Sequence, residues 1–155
     1  MNTVDPKQVR DSAEATFNAG FCCSEAALLA IARELGITSP HVPGVASGFC
    51  GGMARTGGPC GALTGAMMGL GLALGRQASD QAAQPASQAT QRLIREFREM
   101  FGSTDCHVLV GFDPKSERAE IDTAFNKEGR RERCARLTGM AAEMAANIIQ
   151  ESQSR

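Results

Sequence analysis

Wherever apolar residues recur along this chain, they recur at helical spacing. Val9, Ala13 and Phe17 stand at i, i+4 and i+8 and predict one apolar helix face. Asp5 before Pro6 supplies a cap and a first turn, and Gly20 a stop. A second helix is expected just after Cys22-Cys23, at Ser24-Glu25. Ala27, Leu28, Ile31 and Leu35 lie on its face and Gly36 ends it. Pro40 and Pro43 make Ile37 to Gly44 a loop. Ala46 to Met53 reads as a short helix that breaks at Gly51-Gly52. Arg55 to Pro59 is a Gly-rich turn into an apolar helix from Cys60 to Gly75. Gln77 to Gln91 is a polar surface connection, helical in part after Pro85. Leu93, Ile94, Phe97, Met100 and Phe101 form an amphipathic helix that Gly102 ends. Ser103-Thr104-Asp105 offers caps for a short helix carrying Cys106, Val108 and Leu109, closed by Gly111. Phe112 to Gly129 is charged, with one helical turn around Ala119 to Phe125. The last helix runs from Arg130 to Gln150, with Cys134, Leu137, Met140, Ala141, Met144 and Ile148 on one face. No period of two persists and no internal repeat is visible. The pattern predicts one all-α domain over residues 1–155, a bundle of about six or seven helices around a buried Gly-rich central helix.

That central helix carries no charge over the 20 residues between Arg55 and Arg76, a length that would span a membrane. Gly57, Gly58, Pro59, Gly61, Gly65, Gly69, Gly71 and Gly75 make it only weakly apolar, so it reads as a buried helix. Gly57, Gly61, Gly65 and Gly69 recur every four residues and leave a stripe of bare backbone. Each interior Gly costs about 1 kcal/mol against Ala. The stripe therefore implies a close neighbour, either another helix or a flat cofactor. A cofactor lying over Cys60 would approach the backbone at Gly61 and Gly65.

Composition adds limits. A net charge of −1 gives no reason to expect nucleic acid as a partner. The opening MNTVDPKQVRD has no basic patch followed by an apolar run, so no secretory signal is read and a cytoplasmic location is expected. In such a setting six cysteines point to redox chemistry, metal binding or burial rather than structural disulfides.

Cys23, Cys60, Cys106 and Cys134 each stand where a helix is expected to begin. Free N–H groups and the macrodipole there favour the thiolate, the form that attacks disulfides and binds metals. There is no CxxC, which removes the thioredoxin-type site and the usual zinc-ribbon spacing. Gly52 and Gly57 have phosphate-loop spacing, but Gly58 stands where the Lys is needed. Lys127, Arg130, Arg131, Arg133 and Arg136 surround Cys134, and Glu128 and Glu132 offset only part of that charge. The run is either a solvated helix face or the cause of a lowered thiol pKa. Cys60, after a Gly-Gly-Pro turn, and Cys134 are expected to be alkylated first, with Cys50 lagging as a packed thiol. His41 reads as solvent-facing. His107 points about 100° away from its neighbour Cys106 on a helix, which argues against a Cys–His pair and leaves His107 a metal-ligand candidate.

The run Cys60-Gly61-Ala62-Leu63-Thr64-Gly65 is a CGAxxG motif. Phe21-Cys22-Cys23-Ser24 supplies an upstream Phe-x-Cys-Ser, and Gly48-Phe49-Cys50-Gly51-Gly52 a Gly-Phe-x-Gly-Gly approach. Cys106 follows Phe101-Gly102-Ser103-Thr104-Asp105, and Cys134 belongs to the last helix. In these features the chain resembles the C_GCAxxG_C_C family of redox-active proteins, over about residues 17–148. The resemblance implies a small cytoplasmic redox protein and candidate oxidoreductase, served by a redox partner protein. In it Cys23, Cys60, Cys106 and Cys134 converge and either cycle between dithiol and disulfide or ligate an iron–sulfur cluster. Zinc on four sulfurs is the lesser metal, in a structural role. The competing class is a non-catalytic interaction or structural protein, a Gly-stripe homo-oligomer whose cysteines only pack. Cys22 and Cys50 lie outside the pattern and their role is left open.

Overall fold

The computed structural model describes residues 1–155. Its right-handed α-helices are α1 (Pro6–Asn18), α2 (Cys23–Glu34), α3 (Gly61–Leu74), α4 (Gln84–Phe101), α5 (Arg118–Phe125) and α6 (Arg130–Gln153). A 3-10 helix, Gly44–Phe49, follows α2, and a π turn, His107–Gly111, follows α4. The only pairing of strand type is an isolated antiparallel bridge between Pro59 and Asp105. The fold is all-α, as the apolar periodicity requires. No helix is long and apolar enough to cross a membrane.

The local reasons are legible. The Asp5 carboxylate accepts from the backbone N–H of Lys7 (3.0 Å) and Gln8 (3.3 Å), which caps α1. Glu25 reaches back to the N–H of Cys22 at 3.0 Å, so α2 starts at Cys23, one residue earlier than the sequence suggests. Pro85 sits in the first turn of α4. The expected connection over Gln77 to Gln91 is therefore helical from Gln84 onward. α5 is a two-turn helix where the sequence offered one turn, anchored by buried Ile121 and Ala124.

α3 is enclosed by α2, α6 and α4. The glycine stripe explains how closely. A Cβ on Gly65 would overlap the backbone carbonyl of Ser24 in α2 and lie 2.8 Å from its Cα. A Cβ on Gly69 would lie 3.0 Å from the Cβ of Ile31. Another helix thus occupies the stripe at both positions. Gly57 falls outside it, in a loop at φ +84°.

The segment leading into α3 is unusual. Gly51, Gly52, Met53, Ala54 and Arg55 all have φ between 57° and 73°. The expected right-handed helix to Met53 thus stops at Phe49, and a left-handed turn replaces its end. L-residues tolerate this conformation poorly, at about 1–2 kcal/mol each. Tertiary contacts hold it. Thr56 Oγ1 donates to the Met53 carbonyl at 2.7 Å, Gly58 N–H donates to the Gly52 carbonyl at 3.1 Å, and the Arg55 guanidinium pairs with Asp122 at 2.6 Å. Ala54 is exposed. Ala54→Gly is accordingly expected to stabilise the protein by about 0.5–1 kcal/mol, relief of strain outweighing the extra freedom of the unfolded chain. Thermal unfolding followed by circular dichroism should show Tm rising by about 1–4 °C. A fall would mean that Ala54 is not left-handed in solution.

Candidate functional site

The Pro59–Asp105 bridge places two of the four cysteines. Cys60 N–H donates to the Thr104 carbonyl at 2.7 Å, and Cys106 N–H donates to the Gly58 carbonyl at 2.8 Å. Residues beside a bridging pair point to the face opposite that pair, so Cys60 and Cys106 leave the same side. Gly52 makes room for Cys106, since a Cβ there would overlap that of Cys106 and lie 3.1 Å from its sulfur. Gly61 makes room in the same way for the sulfur of Cys23 at the start of α2. Cys134 comes from α6. It lies in the second turn, not at the helix start as the sequence suggested. The helical ladder is already established at Arg133, whose N–H donates to the Gly129 carbonyl at 3.1 Å. Cys134 therefore lies beyond the free N–H groups of the first turn.

The structure brings all four together. Cys23, Cys60, Cys106 and Cys134 line one small cavity of about 20 Å³, walled by Leu109 and Leu137. That volume holds about one water. Burial pushes every one of these thiols up, to about 12 for Cys106 and about 11 for Cys134. The sulfurs add to one another: Cys23 raises Cys60, Cys106 and Cys134. Arg133, Arg130 and Arg131 pull Cys134 down but are outweighed by desolvation. The expected activation of Cys60 and Cys134 is thereby reversed. Basic neighbours lower a thiol pKa, and at Cys134 the cost of burial outweighs them.

Cys22 and Cys50, outside the motif, form a disulfide with Cα atoms 5.7 Å apart, joining the start of α2 to the end of the 3-10 helix. Cys50 is thus not the packed thiol that its apolar neighbours suggested. Nothing in the sequence pairs residues 28 positions apart; only the fold does. The buried Ser24 hydroxyl donates to the Ala46 carbonyl at 2.8 Å and lies 3.3 Å from the Cys50 sulfur. Both cysteines of the disulfide line an open cleft of about 220 Å³. Cys23 and Cys134 also reach this cleft, and Phe17, Phe125, Arg55 and Arg131 rim it. Arg131 lies over the Phe17 ring at 5.3 Å and Arg55 over Phe125 at 4.4 Å.

Of the remaining candidates, Gly61 borders the cavity, and the histidines and Gly65 do not line it. His107 Nδ1 is 2.8 Å from the Gly57 carbonyl, to which it donates as the Nδ1–H tautomer. His41 is exposed. Gly65 faces the Ser24 backbone, and Gly61 the Cys23 sulfur.

Metal geometry can be tested on the sulfurs. A tetrahedral zinc with bonds of about 2.3 Å needs sulfurs about 3.8 Å apart. No three of the four cavity cysteines bring their sulfurs within 4.8 Å of one another. As they stand, the four sulfurs do not bring three ligands within reach of one tetrahedral ion. Cys22, Glu25 and Cys50 do meet that limit, but the two sulfurs are already joined.

Residues 21–148 match a family described as "Putative redox-active protein (C_GCAxxG_C_C)". No curated protein and no solved structure matches the chain.

Proposed function

The chain belongs to the C_GCAxxG_C_C family, and on that premise we propose that it is a thiol–disulfide oxidoreductase working through Cys22 and Cys50. One observation carries this reading: Cys22 and Cys50 line an open cleft, while Cys60 and Cys106 are buried. An incoming thiolate attacks one of the two sulfurs, the S–S bond breaks, and the displaced cysteine thiolate takes up a proton. A second thiolate then attacks the mixed disulfide. It releases the external disulfide and leaves the second cysteine reduced. Two electrons and two protons have passed from two external thiols to Cys22 and Cys50. Reversed, the same steps oxidise a dithiol.

The test is a thiol count. Denatured without reductant, the protein is expected to expose four free thiols, and after dithiothreitol all six cysteines. Cys50→Ser should lose the reversible change. An unreduced count of six, with no turnover of any thiol, would remove the reading.

A second reading rests on a separate observation, the convergence of four cysteines on one small cavity. Cys23, Cys60, Cys106 and Cys134 would hold an iron–sulfur cluster. The bare faces of Gly52 and Gly61 would leave their sulfurs room. A bound cluster would supply one-electron transfer. Around it, these residues would exclude water and set the depth of the centre. Anaerobic purification with iron and sulfide analysis decides the matter. With no Trp or Tyr, any visible chromophore would stand out against weak absorbance near 280 nm.

A further inference from the structure

We propose that the cleft beside Cys22–Cys50 selects small thiols that carry a carboxylate, with Arg131 as the anchoring residue and Arg55 assisting. This deepens the thiol–disulfide reading and rests on it. The charge of the cleft points this way first. Its lining contains two guanidinium groups and no carboxylate. Glu25 lies within 4.8 Å of both disulfide sulfurs, but its carboxylate is held by the Cys22 N–H and the Ser47 hydroxyl, and Arg55 is offset by Asp122, so the unpaired charge that a ligand meets in the cleft is that of Arg131.

The two arginines are not equivalent. Arg55 is already paired with Asp122 at 2.6 Å, so part of its charge is spent. Arg131 makes no ion pair and no side-chain hydrogen bond, although Glu132 is its neighbour in sequence. It is held instead by the face of Phe17. A guanidinium fixed by stacking keeps its N–H fork available, and that fork matches a carboxylate in two parallel hydrogen bonds. Arg131 is thus oriented without being neutralised.

Size and walls narrow the ligand further. A cleft of about 220 Å³ has room for a single short molecule. Phe17, Phe21 and Phe125 offer apolar surface for the methylene beside a thiol, and Cys22 and Cys50 line the same cleft. A cysteine-derived thiol unites the required parts: a CH2–SH to reach the disulfide and a carboxylate a few bonds away for the rim. In the exchange, two equivalents of this thiol form their own disulfide while Cys22 and Cys50 take up two electrons and two protons.

The test uses the full-length oxidised protein and three thiols: glutathione (net negative), 2-mercaptoethanol (neutral) and cysteamine (cationic). Each rate of Cys22–Cys50 reduction is normalised to that thiol's thiolate fraction and to its rate with a small-molecule disulfide. The normalised order expected is glutathione, then 2-mercaptoethanol, then cysteamine. In Arg131→Gln the glutathione to 2-mercaptoethanol ratio should fall about fivefold, and Arg131→Lys should restore part of it. Arg131 is exposed, so neither variant should impair folding. A ratio unmoved by Arg131→Gln overturns the proposal. S-methylglutathione, which cannot exchange, separates selection from chemistry. Its calorimetric binding to oxidised protein should weaken in Arg131→Gln. Exchange with all three thiols but no binding of this analogue at millimolar concentration overturns the selection alone. Binding that depends on Arg131 without any exchange supports the anion site and removes the thiol–disulfide reading instead.

Discussion

Replacing Gly65 by leucine is expected to lower Tm by roughly 6–12 °C. The Cβ of any larger residue at this position meets the backbone of Ser24, its carbonyl and its Cα, rather than the end of a flexible side chain. Backbone cannot step aside without moving the start of α2, and with it Cys22 and Cys23. Overpacking of this kind costs about 1–3 kcal/mol, and a rigid obstacle places the expectation near the upper end. For a chain of this length each kcal/mol is worth about 2–4 °C. Gly71 is the control, in the same helix and exposed, where an added methyl would meet no atom within 4 Å. Gly71→Ala should leave Tm unchanged or raise it, by up to about 1 kcal/mol of helix propensity. If Gly65→Leu also melts at the wild-type temperature, α3 is not seated against α2. The placement of the Cys23 sulfur against Gly61 would then lose its support.

What was legible in the sequence is separated from what was not by a physical line. Helices whose apolar residues repeat at 3.6, such as Val9-Ala13-Phe17 in α1, were readable because burial of one face is written in the local pattern. The glycine stripe was readable as a demand for close approach, and the neighbour proved to be α2. The left-handed turn was not. Gly51-Gly52 signals a break, but Met53, Ala54 and Arg55 have no intrinsic preference for positive φ. Their conformation is imposed by contacts with Thr56, Asp122 and Phe125, the last two distant in sequence. The same holds for the sulfur chemistry. The motif picks out four cysteines, and all four line one cavity. Local sequence cannot report how deeply they are buried, and burial reverses the effect of the basic residues around Cys134. Nor could it pair Cys22 with Cys50, because that bond depends on the 3-10 helix folding back over the start of α2.

Reactivity among the cysteines should therefore run against the sequence expectation. In reduced, metal-free protein at pH 8, Cys22 and Cys50 are expected to alkylate about 100-fold faster than Cys134, and faster still than Cys60 and Cys106. The thiolate is the reacting form. Cys134 has its pKa pushed up to about 11 by burial and Cys106 to about 12, with Cys60 raised as well. An ordinary thiol near 9 is about 10% ionised at pH 8, whereas one at 11 is about 0.1% ionised. Cys22 and Cys50 face the cleft, so once reduced they remain within reach of reagent. The sign of the pH dependence follows. Labelling of Cys134 should keep rising about tenfold per pH unit until about pH 11. Protonation is favoured in the folded state, so the buried thiols favour folding below about pH 9 and progressively lose that effect as the pH climbs through 11 and 12. Pulsed alkylation with mass-spectrometric readout across pH 7–10 resolves each site. Cys134 labelling as fast as Cys22 at pH 8 would mean that guanidinium attraction outweighs desolvation. The reactive thiol would then lie within the four-cysteine cavity and not at the disulfide.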